Sequence, residues 1–372
     1  MGGRPSVLDA GVDVYTGEEG DIFECVGHLD EGHSTMVVVF PGNPGVVKLY
    51  THFVESLQLK LPGSTPVIAV GHLGHSAGRL WPGQRFTLED QIQHKVRFMH
   101  WLKTRLPDTR FVLVGHSIGC YIALQTMKRC GDEIPFGPCV SVFPTLYQIG
   151  NQAGMLRFVV RPLVRHLTGW SVCGVLGCLP RSWRRRIAAK AWKQTFQAPG
   201  EEKEDEEGEE AMVDAGGESE QNEAEIALLS RHKEGYSATL DHVVDLLHVD
   251  FVLNVALMAH TEFQQVVAPD EDLMEEMHRR MICVYTSPDA WVPDEHADEM
   301  EGRRETYQDG WPIVFRVPEE SHIPHPFVMN HSMDTARIVA GEFVWMRFFG
   351  SLSPCFRDDF SACVALRPAV AA

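Results

Sequence analysis

The pattern Gly-X-Ser-X-Gly occurs twice in this chain, as Gly74-His75-Ser76-Ala77-Gly78 and as Gly115-His116-Ser117-Ile118-Gly119. A serine hydroxyl is a poor nucleophile until a positioned base takes its proton, and the pattern serves chemistry only where a strand runs straight into the turn and a helix leaves it. Context separates the two copies. Ser117 directly follows Phe111-Val112-Leu113-Val114 and opens the helix-forming run Tyr121 to Met127, while Gly115 and Gly119 spare the tight turn a Cβ clash. Around Ser76, His72 and Leu73 intervene after the apolar run, and Gly78, Pro82 and Gly83 prevent a helix from following. Ser76 therefore reads as a loop residue near the site.

A nucleophilic serine at this position calls for a carboxylate and then a histidine further along, each just after a strand. The apolar run Met281 to Tyr285 leads into Thr286-Ser287-Pro288-Asp289, which puts Asp289 at a strand end. Its rival Asp294 begins a charged, helix-forming run and fits the start of a solvated helix better. After Ile313 to Val317 come two histidines, His322 and His325, and in a chain with 18 histidines position alone does not choose between them. The carbonyl oxygen that gains charge in acyl transfer needs backbone donors. Ile118, next after Ser117, supplies one. The loop Pro41-Gly42-Asn43-Pro44-Gly45 after the run Met36 to Phe40 supplies the other; its prolines cannot donate, so Asn43 or Gly45 must, and Asn43 is preferred because it follows Gly42 at the strand mouth.

These residues have to be carried by a sheet. Thr35–Phe40, Val67–Gly71, Phe111–Gly115, Cys139–Phe143, Met281–Tyr285 and Ile313–Val317 are nearly continuous apolar runs, as expected of strands covered on both faces. Helical spacing recurs in Gln91–Arg105, Ile118–Arg129 and Asp334–Phe349. The alternation predicts an α/β fold with a mostly parallel, doubly wound sheet. Between Phe143 and Met281 the rhythm breaks for longer than a single crossover needs, so a helical insertion is expected there. The predicted organisation is an N-terminal segment 1–34 with leading strands, one core in two parts (35–145 and 276–350), an inserted helical cap at 146–275, and a tail at 351–372.

With 372 residues, 44% hydrophobic and 23% charged, the chain can bury a large core, which excludes collagen-like, coiled-coil and wholly disordered architectures. The net charge of -18 argues against a nucleic-acid partner. The charge is unevenly placed. Ile134 to Gly200 has no acid and carries +9, whereas Glu201 to Glu225 carries -12. The span 198–225 has almost no large apolar residue and is expected to be an unstructured acidic loop. Nine scattered cysteines read as reduced thiols; the nearest pair, Cys173 and Cys178, has no partner pair, so no metal is expected. No apolar stretch follows Arg4, which argues against a secretory signal. Gly2 fits the loose myristoylation pattern, and a flexible terminus accounts for the same residues.

Taken together, Phe40-Pro41-Gly42-Asn43-Pro44-Gly45, Val114-Gly115-His116-Ser117-Ile118-Gly119-Cys120-Tyr121, Phe143-Pro144-Thr145, Asp289-Ala290-Trp291-Val292-Pro293 and Ile323-Pro324-His325-Pro326-Phe327 resemble the lipid droplet-associated hydrolases, a branch of the α/β-hydrolase superfamily. The resemblance spans about Val37 to Phe349, and its more specific parts are the Pro-Gly-Asn-Pro-Gly loop with Phe-Pro-Thr and the late Ile-Pro-His. It implies an α/β-hydrolase fold, Ser117 as nucleophile, Asp289 as orienting acid and His325, rather than His322, as base. It also implies residence on lipid droplets and endoplasmic reticulum, on the cytosolic side, with lipid esters such as sterol esters as substrates and no cofactor. The chain departs from the family pattern in its long acidic loop, in Pro288 before the acid and in Pro326 after the base.

The insertion fits such a setting on physical grounds. Leu167 to Leu179 is uncharged but shorter than the roughly 20 residues a membrane-spanning helix needs. The adjoining Arg-rich stretch with Trp183 and Trp192 has the composition of a helix lying at an anionic lipid surface, and Arg157 to Phe196 is the candidate lipid contact. A cap helix packed over the site explains the same pattern. The leading expectation is an esterase or lipase of sterol-ester or acylglycerol type. One alternative is a lipid-droplet binding or remodelling protein with weak esterase activity; another is a thioesterase or acyltransferase using the same residues, since an acyl-enzyme does not fix which acceptor takes the acyl group.

Overall fold

A computed structural model of the protein describes residues 6–9, 11–17, 20–61, 65–77, 80–148, 160–196, 241–308, 310–328 and 330–341. The acidic stretch 198–225, the tail 351–372 and Gly2 lie outside the described residues.

The strands are β1 (Ser6–Asp9), β2 (Val12–Thr16), β3 (Ile22–Gly27), β4 (Thr35–Phe40), β5 (Val67–Val70), β6 (Arg110–His116), β7 (Phe136–Val142), β8 (Met281–Tyr285) and β9 (Ile313–Arg316). They form one sheet in the order β1-β2-β3-β5-β4-β6-β7-β8-β9. From β5 to β9 all neighbours are parallel, and β1 to β3 join as an antiparallel flank through β3 and β5. The parallel strands β4 to β8 are buried at nearly every position because both faces are covered, as their continuous apolar runs require, whereas the edge strand β9 is buried only at Ile313. In β4, Met36, Val38 and Phe40 face one core while Val37 and Val39 face the other.

The first core is closed by α2 (Leu88–Arg105) and α3 (Ile118–Cys130), through residues such as Ile92, Phe98, Ile122 and Met127. The second is closed by α1 (Thr51–Lys60) and a late helix, Ser332–Ala340, through Phe53, Leu57, Ala336 and Val339. Between β7 and β8 lie α4 (Pro162–Gly177), α5 (Arg181–Phe196), α6 (Val249–Gln265) and α7 (Glu271–Met277); α8 (Glu295–Tyr307) follows β8, and the late helix is α9. β7 begins at Phe136, earlier than its apolar run suggests, because Pro138 and Gly137 read as a turn yet sit inside the strand. Helix α9 ends at Ala340; the rest of its expected span, beyond residue 341, lies outside the described residues.

Candidate active site

Ser117 sits between the last residue of β6 and the first of α3, with φ +54° and ψ -124°. A side-chain-bearing residue is held in that strained region only by its surroundings. Here the clamp is close packing. A Cβ on Gly119 would lie 2.3 Å from the Phe40 carbonyl oxygen, and one on Gly115 would lie 2.5 Å from the Cys120 Cα. Only glycine at both positions lets the turn nest against β4 and α3.

The Ser117 Oγ lies 2.9 Å from Nε2 of His325, whose Nδ1 lies 2.7 Å from Oδ2 of Asp289. The Asp289 side chain is 1% exposed, and its other oxygen accepts the backbone N–H groups of Trp291 at 2.7 Å and Val292 at 3.1 Å. A carboxylate so fixed holds the proton on Nδ1 and leaves Nε2 as the acceptor facing serine. His322, by contrast, is exposed, in a left-handed conformation after a short turn at Glu319–Ser321. Asp294 is exposed at the start of α8 and accepts a bond from Ser287, away from the histidine. The Ser117 Oγ also lies 3.2 Å from the Thr145 hydroxyl.

The loop after β4 rests against the serine, since a Cβ on Gly42 would be 3.1 Å from that of Ser117. Its amides are differently employed. Pro41 and Pro44 have none, Gly42 donates to the Tyr50 hydroxyl at 2.8 Å, and Gly45 donates to Nδ1 of His75 at 2.9 Å. Asn43 is the loop's remaining residue with an amide N–H, and Ile118 opens α3 directly after Ser117. The Asn43 side chain is tied to the insertion, donating from Nδ2 to Val255 O at 3.2 Å and to Glu262 Oε1 at 3.0 Å.

Several of these supporting residues carry no sequence signal of their own. Ser76 is a buried loop residue, and the second Gly-X-Ser-X-Gly segment contributes its histidine instead: burial pushes His75 down to about 3, and the neutral ring accepts from Gly45. His116 lies inside the motif that identifies Ser117. Its Nε2 donates to the His325 carbonyl at 2.9 Å, and burial pushes its pKa down to about 3 as well. Glu262 had one legible cue, a carboxylate on the same helical face as the buried Met258.

The insertion also presents a contrasting surface. Leu167, Trp170 and Val175 on α4 and Trp183 and Ile187 on α5 are exposed. Part of the basic block beside them is paired, Arg181 with Asp245 at 3.0 Å and Arg185 with Asp241 at 3.2 Å. Among the described residues no helix is long and apolar enough to cross a membrane.

The sheet order, with a serine held on the turn between β6 and α3, defines an α/β-hydrolase fold. The chain belongs to the lipid-droplet associated hydrolase family, whose model matches residues 33–207 and 225–328. Relatives named lipid droplet-associated hydrolase include that of Dictyostelium discoideum, 26% identical over 310 residues that cover 81% of this chain and 84% of that protein. Another is that of Homo sapiens, 23% identical over 352 residues, covering 87% and 91%. Among solved structures, a membrane phospholipase A that is a bacterial virulence factor aligns with TM-score 0.56 at 12% identity, covering 92% of this chain and 87% of that one. A haloalkane dehalogenase from Agrobacterium tumefaciens aligns with TM-score 0.52 at 13% identity, covering 91% and 98%. At these identities the likeness to solved structures is one of fold.

Proposed function

We propose that the protein is a serine hydrolase of lipid carboxylic esters, of sterol-ester or acylglycerol type, acting at the lipid droplet and endoplasmic reticulum surface on its cytosolic side. The observation that carries this reading is the continuous line of hydrogen bonds from Ser117 Oγ through His325 to Asp289. His325 takes the serine proton at Nε2 as Oγ attacks the ester carbonyl, and Asp289 stabilises the imidazolium. The N–H groups of Ile118 and Asn43 hold the oxygen that becomes negative, each worth about 3 kcal/mol in the transition state. His325 then protonates the departing alcohol, leaving an acyl-serine. Water, deprotonated by the same nitrogen, releases the fatty acid and restores the serine proton.

The experiment is labelling with a fluorophosphonate, which phosphonylates only an activated serine. Wild type labels and Ser117→Ala does not; equal labelling of the two overturns the assignment. A panel of sterol esters, triacylglycerols and short nitrophenyl esters, each with the Ser117→Ala control, then identifies the alcohol and acyl length.

A second reading, a lipid-surface protein whose main role is binding, draws on the exposed apolar residues of α4 and α5. The two readings share one arrangement, in which the span 146–275 caps the core and its segment Arg157 to Phe196 meets lipid. The family name, lipid droplet-associated hydrolase, supports a lipid setting.

A further inference from the structure

We propose that Glu262, on the inserted helix α6, is a positioning residue for the reaction: it holds Asn43, and with it the loop whose amide meets the developing oxyanion. This rests on the reading of Ser117 and the Asn43 N–H given above.

Asn43 is the central residue of the Pro41–Gly45 loop, and its side chain reaches α6. The two protons of its Nδ2 are taken by different acceptors on α6: the Val255 carbonyl at 3.2 Å and Glu262 Oε1 at 3.0 Å. The Val255 carbonyl lies inside α6, where it is also a helix acceptor, so the carboxyl supplies the second, independent hold. A carboxyl group 6% exposed on the buried side of α6, beside Phe251, Asn254, Met258, Ala259 and Thr261, is costly to bury. A leucine there would pack the same helix more cheaply, so burial alone does not account for an acid.

The platform beneath Glu262 is fixed. Asn254, fully buried, accepts the Phe86 N–H at 3.0 Å and donates to Gln84 O at 3.1 Å; Thr261 accepts the Leu88 N–H at 3.0 Å; and Asp250 pairs with Arg85 at 2.9 Å. Helix α6 is thus bolted to the segment that leads into α2, at Thr261 next to Glu262 and at Asn254 and Asp250 about two and three turns upstream. A group held by so rigid a support can set the place of a loop to a fraction of an ångström, which is the accuracy that transition-state hydrogen bonds demand. From the other side the same loop is held by Tyr50 and His75 through Gly42 and Gly45. The core alone therefore fixes the loop's flanks, and the insertion fixes its central residue.

The test is a double-mutant cycle on a soluble nitrophenyl ester, which removes lipid binding from the measurement. E262A should lower kcat about tenfold with KM nearly unchanged, and slow fluorophosphonate labelling in parallel, because the lost hold is felt in the transition state. E262Q keeps an acceptor oxygen at the same reach and should restore most of the rate. N43A should match E262A, and N43A/E262A should be no slower than N43A alone. Thermal melts of all variants report folding separately, and E262Q, nearly isosteric, covers the case in which E262A does not fold. Wild-type kcat in E262A, additive losses in the cycle, or an E262Q as slow as E262A with unchanged melting each overturn the proposal. Labelling of Ser117→Ala would instead overturn the underlying reading, so the two failures are distinct.

Discussion

The Tyr50 hydroxyl lies 2.6 Å from Nδ1 of His116, and the direction of every bond around this pair is fixed. The His325 carbonyl can only accept, so His116 carries its proton on Nε2; Nδ1 must then accept from Tyr50, whose oxygen is free to accept from the Gly42 N–H. One buried line thus joins the Pro41–Gly45 loop to the backbone of His325. Neutral His116 is what makes it work, and burial, which holds its pKa down at about 3, keeps it neutral.

Tyr50→Phe removes the centre of that line with almost no change of volume. It leaves the Gly42 N–H and His116 Nδ1 buried without their partner, which should lower stability by about 1–3 kcal/mol in urea denaturation. The rate should fall as well, since Gly42 adjoins Asn43. A variant as stable and as active as wild type would show that the line is incidental.

Ser117 stores strain in its backbone. Its φ of +54° with ψ of -124° suits a residue without a Cβ, so Ser117→Gly should be more stable than both wild type and Ser117→Ala by about 1–3 kcal/mol. Neither variant should label with a fluorophosphonate. Equal stability of the glycine and alanine forms in chemical denaturation would mean the turn is not strained.

The residues proposed to react could be picked out along the chain and most of those packed around them could not, for a physical reason. Ser117 and Asp289 each come just after an apolar run, so local context points to them; it leaves His322 and His325 open, and the family resemblance favours His325, 208 positions from Ser117. The parallel strands were legible because two covered faces impose continuous apolar runs; β1 to β3 were less so, since β2 alternates Val12 and Val14 with Asp13 and Tyr15 and resembles any half-buried segment. Tyr50, His116 and Glu262 act through partners brought together only by folding, Glu262 and Asn43 being 219 positions apart. Helix α1 has little signal in the sequence because Thr51–Lys60 carries only a weak apolar stripe, and packing against α9 and the sheet decides its form.

Stability should depend on pH through Glu262. Burial raises its pKa from 4.5 to about 7, so between those values the folded state holds a proton that the unfolded state has released. Stability from this group is therefore full below about pH 4.5 and is lost as pH rises to 7. Glu262→Gln removes the dependence. The variant should match wild type near pH 4.5 and exceed it above pH 7, by no more than about 3 kcal/mol. Lys95, lowered by burial to about 7, adds stability as pH rises from 7 toward 10.5 in both proteins and so cancels in the difference. Denaturation curves across this range check the sign, and a difference that shrinks with rising pH would contradict it.

The lipid contact should depend on apolar side chains more than on charge. Trp170 and Trp183 are 65% and 57% exposed, each able to bury a large area in an interface, whereas Arg181 and Arg185 are already paired with Asp245 and Asp241. Burying one such aromatic contributes about 1.5–3 kcal/mol, and an exposed ion pair contributes well under half of that. Flotation with phospholipid-coated triacylglycerol emulsions should show Trp170→Ser/Trp183→Ser reducing bound protein by about tenfold or more. Arg181→Gln should cost less than about threefold. Because all three positions face solvent, melting temperatures should stay near that of wild type. A double-tryptophan variant that floats as wild type would remove α4 and α5 as the anchor, and a larger loss from Arg181→Gln would make the contact electrostatic.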